Sequence, residues 1–319
     1  MLFNKIIRSD EVISGINIEA FYSKEKFLSD NSIKNIHNEL ELWKPKFNTN
    51  DIHPTRTFNG WYHSMAMAKS NTVYDIVTSD FILDICRNYF EDDFRLKSHR
   101  VYSIYSGASI PWHTDNKIGA KKHNYKGLVF IFYLKDVFKG QFQALKNSEE
   151  FSNKFPNPKI DKNLIERDYS NQVVDFKLPA GSFIVYNDKT IHRAKPYFDP
   201  FWYRTSLFIQ IDQNMDNSEK IILNPSFIKN IDDEKKMFLG FGKKNDAPHE
   251  PVVSGLFTLS SINLISLISI CEEMLYGRFP TTIEFAFIFF SKSNFRISSL
   301  KIFNLSYSAS SFFKLLNNT

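Results

Sequence analysis

Two segments in the first hundred residues repeat apolar side chains at three- and four-residue spacing. In SIKNIHNELELW, Ile33, Ile36, Leu40 and Trp43 fall on one stripe, which predicts a helix. SDFILDICRNYF does the same with Ile82, Ile85, Cys86 and Tyr89, and Ser79 or Asp80 can cap its start. From residue 100 the texture changes. RVYSIYS, GLVFIFYL, QFQAL, VVDFKL, SFIVY and RTSLFIQID are short β-branched or aromatic runs separated by Gly, Pro, Asn and Asp, the pattern of an antiparallel barrel or sandwich. The lysine-rich link between QFQAL and VVDFKL, which contains NKFPNPKIDKN, is too long for a hairpin and predicts an excursion over a barrel mouth. After residue 213 the strand texture fades. IDDEKKMFLGFGKKNDAPHEP reads as helix, turn and surface loop, and the last seventy residues read as helices packed against the core. The expected organisation is therefore α+β: a mostly helical part over 1–99 packed on the core, a β core over 100–213, and a mostly helical C-terminal extension over 214–319. No internal repeat is visible.

The 319 residues can hold one large domain or two modest ones. Apolar content of 43% with 24% charge belongs to a soluble globular chain. The net charge of +5 is spread over interleaved lysines and acids with no dense basic run, which argues against a nucleic-acid partner. Cys86 and Cys271 are the only cysteines and neither has a CxxC partner, so a disulfide framework and a zinc ribbon are not expected and a reducing cytoplasm fits best. MLFNKIIRSDEV carries charges too early for a secretory leader. VVSGLFTLSSINLISLISI is diluted by serines and Asn263 and is followed by Glu272 and Glu273, so it reads as a buried helix and not a membrane span.

The candidate chemistry starts at SIPWHTDN. His113 and Asp115 are two residues apart, so in extended chain both side chains point the same way. Among eight histidines, His192 supplies a third donor in the right context: the turn Pro179-Ala180-Gly181 leads into the buried strand SFIVY, and His192 follows. Two imidazoles and one carboxylate on one face of iron leave positions for a chelating cosubstrate and dioxygen. In RTSLFIQID, Thr205, Leu207, Ile209 and Ile211 form one face while Arg204, Ser206, Phe208 and Gln210 form the other. A guanidinium beside a hydroxyl can hold a carboxylate through a charge-assisted fork, and a buried arginine without such an anion would be costly. Trp112 is a candidate wall of the site or substrate contact, with plain packing an equal reading. Tyr102 is a candidate hydrogen-bonding partner of the cosubstrate. His123 among Lys121, Lys122 and Lys126 reads as a solvated loop or as a basic rim that attracts an anionic substrate. Asp188 and Lys189 read as shaping the turn before His192. His37, His53, His63, His99 and His249 read as surface or core residues.

On HTD at 113–115, His192 in IHRAKP and RTS at 204–206, with GLVFIFYLKDV and PAGSFIVYND flanking them, the sequence resembles Fe(II)/2-oxoglutarate-dependent dioxygenases of the phytanoyl-CoA dioxygenase-like group. The resemblance covers about residues 95–213. It implies a double-stranded β-helix (a jelly roll, cupin-like) with flanking helices, Fe(II) on His113, Asp115 and His192, and the far carboxylate of 2-oxoglutarate on Arg204 and Ser206. It also implies oxidation of a small-molecule substrate by dioxygen, with release of succinate and carbon dioxide. Related halogenases have a small residue in place of this carboxylate, so Asp115 favours hydroxylation. Where many members carry a Gly-Ser-His turn after the QFQAL-like strand, this chain has KNSEEFS, with Glu149 after Ser148. Two other readings stand beside this one: a jelly roll that binds a metal or sugar without redox chemistry, such as an isomerase, and an oxygenase acting on a protein partner.

Overall fold

Strand pairing in the computed structural model alternates between two antiparallel sheets. Residues 1–41, 60–63, 65–105, 110–117, 125–148, 152–155, 159–199, 201–213, 218, 221–228 and 231–241 are described, together with short extended pieces at 252–253, 256–258, 285–288 and 302–303. Residues 1–219 form one compact unit and residues 220–319 a second. In the first unit the strands are β1 (Phe21–Lys24), β2 (Gly60–His63), β3 (Arg95–Tyr105), β4 (Ile110–His113), β5 (Gly127–Tyr133), β6 (Phe142–Leu145), β7 (Val173–Phe176), β8 (Phe183–Asn187), β9 (His192–Ala194) and β10 (Tyr203–Asp212). They assemble as a six-stranded sheet, β1-β8-β5-β10-β3-β2, and a four-stranded sheet, β4-β9-β6-β7. From β3 to β10 the chain crosses to the other sheet at every step but β6–β7, which is the winding of a double-stranded β-helix, as expected.

The large sheet is buried on both faces, and the two faces do different work. On β10, Arg204, Ser206, Phe208 and Gln210 share one face, opposite Ile104, Tyr102, Arg100 and Ser98 of β3. On its other side β10 sets Ser206, Phe208 and Gln210 opposite Tyr133, Ile131 and Val129 of β5. Phe208, Tyr102, Ile104, Tyr133, Ile131 and Val129 join Tyr186 of β8 and Phe142, Ala144 and Phe176 of the small sheet in one buried cluster, so this face lines the barrel interior. The opposite face carries Leu207, Ile209 and Ile211, also buried, and is covered by helices.

Those helices come from the N-terminal residues: α1 (Ser9–Glu19), α2 (Asp30–Glu41), α3 (Ala66–Lys69), α4 (Asn71–Val77) and α5 (Asp80–Phe90). α2 and α5 are the two helices expected from periodicity. Ser79 caps α5, its Oγ accepting from the Ile82 N–H at 3.4 Å, while Ile82, Ile85 and Cys86 are buried beneath it. Phe81 of α5 meets Phe27 (4.4 Å between ring centroids) and Phe183 on the outer side of β8 (5.4 Å). The N-terminal part is not purely helical, because it also supplies β1 and β2, which pair with the outermost barrel strands β8 and β3. Unpaired edges are a liability that such added strands remove. β3 begins at Arg95, five residues before the expected start of the β core. The turn before β8 needs Gly181, whose φ is +81° and where a Cβ would lie 2.6 Å from the Leu28 carbonyl.

The second unit includes a helix, Asp233–Phe238, capped by Asp232, and five short strands. Ile222–Leu223 runs parallel to Val252–Val253; Phe285–Ile288 lies between Leu256–Thr258 and Ile302–Phe303. Helices were expected over the last seventy residues, yet the pieces described there are extended, in keeping with the strand preference of Phe285, Phe287 and Ile288. Of the segment read as a buried helix, Val252–Val253 and Leu256–Thr258 are extended and the remainder lies outside the described residues. No helix among the described residues is long and apolar enough to cross a membrane.

His99 ties β3 to the helical layer. Its Nε2 accepts from the Met67 N–H of α3 at 3.3 Å, so the neutral ring carries its proton on Nδ1. Burial, aided by the neighbouring Arg100 charge, pushes its pKa down to about 3. A folded-state pKa below the ordinary value near 6.5 means the unfolded chain takes up this proton first. The stability tied to neutral His99 is complete above about pH 6.5 and declines toward pH 3 by about 1.4 kcal/mol per pH unit. In denaturant titrations, His99→Gln should lose about 2 kcal/mol less stability than wild type between pH 7 and pH 5. Equal losses in the two proteins would contradict this account of His99.

Candidate metal centre

β4 and β9 pair so that His113 lies directly opposite His192, with ring centroids 4.2 Å apart. The strands are only four and three residues long, and neighbours hold them in register. β9 also pairs with β6, which sets Ala144 opposite His192. The Ile191 N–H donates to Ser148 Oγ at 2.9 Å, and the Leu145 N–H donates to the Ile191 carbonyl at 2.9 Å. Directly after His113 the chain turns into a short 3₁₀ segment, Asp115–Lys117, that brings the Asp115 carboxylate back over the two rings. The Asn116 N–H donates to the Asp188 carbonyl at 3.0 Å, fixing this segment to the turn after β8.

The three side chains converge. Asp115 Oδ1 lies 3.6 Å from His113 Nε2, Oδ2 lies 3.7 Å from His192 Nε2, and the donor atoms all fall within 4.8 Å of one another. His113 Nδ1 meets the Pro111 carbonyl at 2.7 Å and His192 Nδ1 meets the Thr190 carbonyl at 2.9 Å. A carbonyl only accepts, so each Nδ1 carries a proton and each Nε2, in the neutral ring, presents a bare lone pair toward Asp115. Two imidazole nitrogens and one carboxylate oxygen, preset and shielded from bulk water, fit a divalent transition metal.

The charges within this cluster are unequal. Burial would raise the Asp115 carboxyl, but His192, His113 and the Tyr186 hydroxyl together hold it well below the usual carboxylate range. Burial would lower His113, yet its contact with Asp115 and the Pro111 carbonyl raises it above the ordinary imidazole value. His192 goes the other way: burial, reinforced by the His113 charge, brings it down to about 4. Without a metal, His113 thus holds its proton more tightly and His192 less tightly than an ordinary imidazole, beside an Asp115 that favours its ionised form.

Tyr186, inside the recognised run SFIVY, is the site residue that periodicity did not single out. Its hydroxyl donates to Asp115 Oδ2 at 3.2 Å and lies 3.3 Å from His192 Nε2. Phe142 packs on both rings, 4.9 Å from Tyr186 and 5.2 Å from His192 between centroids. The available signal was parity: Tyr186 shares the inward side with Ile184 and leads, six residues on, to His192.

Arg204 and Ser206 are both buried on the interior face of β10. One Arg204 Nη donates to the Gly140 carbonyl, but its Nε and the Ser206 Oγ have no hydrogen-bond partner. Two orphaned polar groups side by side in a barrel interior are expensive unless an oxyanion takes them up. Gly140 can make this contact because its φ is +62° and the Tyr197 ring sits where a Cβ would be, 2.4 Å away. Tyr102 stands opposite Ser206, with the Arg204 guanidinium 5.9 Å from its ring centroid.

The other candidates fall away from the centre or outside the described residues. Trp112 projects to the opposite side of β4 from His113, into an apolar cluster with Leu145, Ile160, Ile165 and Ile191, where the Arg193 guanidinium covers its ring at 4.5 Å. The turn before His192 is tied mainly by Asn187, whose Oδ1 accepts from the Lys189 N–H and the Thr190 hydroxyl. His37 donates to or accepts from no metal-site residue and instead contacts the Leu134 carbonyl at 3.0 Å. His63 is buried, whereas His53, His123, His249, Lys121, Lys122 and Glu149 lie outside the described residues.

No protein-family model matches this chain, and no curated protein does. Solved structures similar to it include HygX from Streptomyces hygroscopicus with nickel, 2-oxoglutarate and hygromycin B bound, at 14% identity and a TM-score of 0.48, covering 67% of this chain and 90% of that one. HygX with nickel and 2-oxoglutarate alone gives 14% identity and 0.49, covering 69% and 91%. SnoK, a non-heme alpha-ketoglutarate-dependent carbocyclase from nogalamycin biosynthesis, gives 13% identity and 0.49, covering 66% and 88%. These figures describe backbones alike in outline, and the roles of residues in this chain rest on its own geometry.

Proposed function

We propose that this protein is an Fe(II)- and 2-oxoglutarate-dependent oxygenase that hydroxylates a small molecule. The observation that carries the reading is the joint arrangement of two sites in one barrel. Preset His113, Asp115 and His192 donors fit a divalent metal, and the orphaned Arg204 Nε and Ser206 Oγ on the interior face of β10 fit a carboxylate. A jelly roll binding a metal or sugar without redox chemistry would leave Arg204 and Ser206 without a task. The likeness to the phytanoyl-CoA dioxygenase-like group rests on the HTD, IHRAKP and RTS motifs.

Iron with bound 2-oxoglutarate would supply the oxidative chemistry, in which the keto acid loses carbon dioxide to become succinate and one oxygen atom of dioxygen goes to the substrate. The chain's residues do the positioning. His113, His192 and Asp115 would hold the metal. Tyr186 holds one Asp115 oxygen and thereby orients the carboxylate, while the Pro111 and Thr190 carbonyls keep both Nε2 atoms available. Arg204 and Ser206 would hold the far carboxylate of the keto acid, with Tyr102 beside them. Because Asp115 fills the carboxylate position, hydroxylation is favoured over halogen transfer.

The reading is tested by anaerobic titration with Fe(II) and 2-oxoglutarate, which should give a weak visible charge-transfer band at one metal per chain. His113→Ala, Asp115→Ala and His192→Ala should each abolish the band, and substrate turnover in wild type should release one succinate per product. A band that survives in all three variants would end the assignment, as would conversion without matching succinate.

Arg204→Ala should weaken 2-oxoglutarate binding about 30-fold or more, since loss of a buried charge-assisted fork costs on the order of 2–5 kcal/mol. Metal affinity should hold, and Arg204→Lys should recover only part of the loss because an ammonium lacks the planar two-donor edge. Unchanged keto-acid affinity by calorimetry in Arg204→Ala would move the cosubstrate elsewhere.

Metal uptake should also report the proton on His113. A ligand must be deprotonated to bind, and its pKa in the metal-free protein is raised. Apparent metal affinity should therefore drop about tenfold per pH unit below that pKa, with about one proton released per metal bound. Calorimetry in buffers of different ionisation heat reads the released proton directly. Affinity flat between pH 5.5 and 7.5 would contradict the tightened hold of His113 on its proton.

A further inference from the structure

The Arg204 guanidinium takes its place in the barrel from one hydrogen bond. Its Nη1 donates to the Gly140 carbonyl, while its Nε has no partner. An arginine side chain has many rotamers, so that single tie decides where the charge rests. The Gly140 carbonyl is in turn placed by a residue from another part of the chain. Gly140 has φ +62°, and the Cδ1–Cε1 edge of the Tyr197 ring occupies the space that a Cβ would need.

Tyr197 is anchored at its other end. Its hydroxyl donates to the Ile104 carbonyl at 2.8 Å, with the Trp202 carbonyl 3.3 Å away. Ile104 is the residue opposite Arg204 in the register of β3 and β10. The contacts therefore close a circuit: Arg204 to Gly140, Gly140 to Tyr197, Tyr197 to Ile104, and Ile104 across the ladder to Arg204. Two further ties grip the turn on both flanks of Gly140. Trp202 Nε1 donates to the Lys139 carbonyl at 3.1 Å, and the Lys195 N–H donates to the Gln141 carbonyl at 2.9 Å. Phe198 and Phe201, between these ties, are exposed. Burial raises the Tyr197 hydroxyl to about 12, against the pull of the Arg204 charge, so it stays a proton donor. A leucine would fill part of this space but could not reach the Ile104 carbonyl.

Resting on the oxygenase reading above, we infer that Tyr197 is a positioning residue for the keto acid. Pressed on Gly140, it sets how deep the Arg204 guanidinium stands in the barrel, and so selects the length of dicarboxylic keto acid that reaches from the metal to Arg204. An acid gripped at both ends is measured by the separation of the grips, and one methylene too many must buckle or pull an end loose. The measure discriminates only while both grips are stiff, and Tyr197 supplies the stiffness at the arginine end.

The test uses the full chain loaded with Mn(II), whose uptake is measured first. Calorimetry then gives the dissociation constants of 2-oxoglutarate and of its six-carbon homologue 2-oxoadipate, with no turnover needed. Wild type should prefer 2-oxoglutarate by about tenfold or more, the scale on which one methylene is discriminated. In Tyr197→Leu, 2-oxoglutarate should bind about tenfold more weakly, the scale of one lost hydrogen bond to a charged group, while 2-oxoadipate loses less, so the preference shrinks. Tyr197→Phe keeps the ring on Gly140 but loses the Ile104 anchor, and should fall between. A merely structural tyrosine would weaken both acids by one factor or weaken neither. An unchanged preference in Tyr197→Leu, or a wild type with no preference, overturns the inference. Should Tyr197→Leu fail to take up Mn(II), Tyr197→Met carries the comparison instead, and failure of both makes Tyr197 part of the scaffold and overturns it too. Failure of wild type to bind 2-oxoglutarate with the metal present would bring down the oxygenase reading itself, and this inference with it.

Discussion

The pairing of β4 with β9 places two imidazoles face to face, and the rest of the site depends on keeping those two short strands in register. Three or four residues form too few backbone hydrogen bonds to hold themselves. Their alignment is borrowed from β6 on one side and from contacts to Ser148, Leu145 and Asp188 around them. A slip of one residue would turn both rings out of the barrel, because side chains alternate between faces. The 3₁₀ turn then adds the carboxylate at a distance that regular strand geometry could not reach. What looks in sequence like a local HTD motif is a tertiary construction, with half of its support contributed 30 to 80 residues downstream.

Burial gives this construction its chemical character. Desolvation pushes the half-buried Asp115 carboxylate toward its protonated form, and two imidazoles and a phenol around it favour the ionised one. That same arrangement strengthens the hold of His113 on its proton. The Arg204 end lacks such self-compensation. Gly140 satisfies one nitrogen, but Arg204 Nε and the neighbouring Ser206 hydroxyl have no hydrogen-bond partner among the described residues.

The sequence made the long elements legible and the short ones not. GLVFIFYL, SFIVY and RTSLFIQID are pure enough in texture to mark β5, β8 and β10, and the parity of RTSLFIQID put Arg204 and Ser206 on the inner side. β4 and β9 carry no usable periodicity: Pro111 interrupts one, and the other spans His192–Ala194 alone. They were found through their donor atoms and through a family resemblance. β1 and β2 were hidden among helices because edge strands bury one side at most and need no apolar alternation. Tyr186 lay within a recognised run, and its inward parity could be read. Its place beside the metal cluster could not, since that arises from juxtaposition with Asp115, which is distant in the chain.

β10 is flanked by β3 and β5 along nearly its whole length, so its register is fixed twice. Length changes in this protein are consequently channelled. The 195–202 connection ahead of β10 can gain or lose residues at modest entropic cost, since the strand itself stays where its neighbours hold it. A single residue added between Arg204 and Gln210 would have to be expelled as a bulge against two partners at once, or would turn one arginine's layer to the wrong side. Lineages descended from such a chain would be expected to differ in their loops while keeping the interval between Arg204 and Phe208 constant. That interval fixes the spacing between the Arg204 layer and the Phe208 layer of the interior face, whatever happens to the loops.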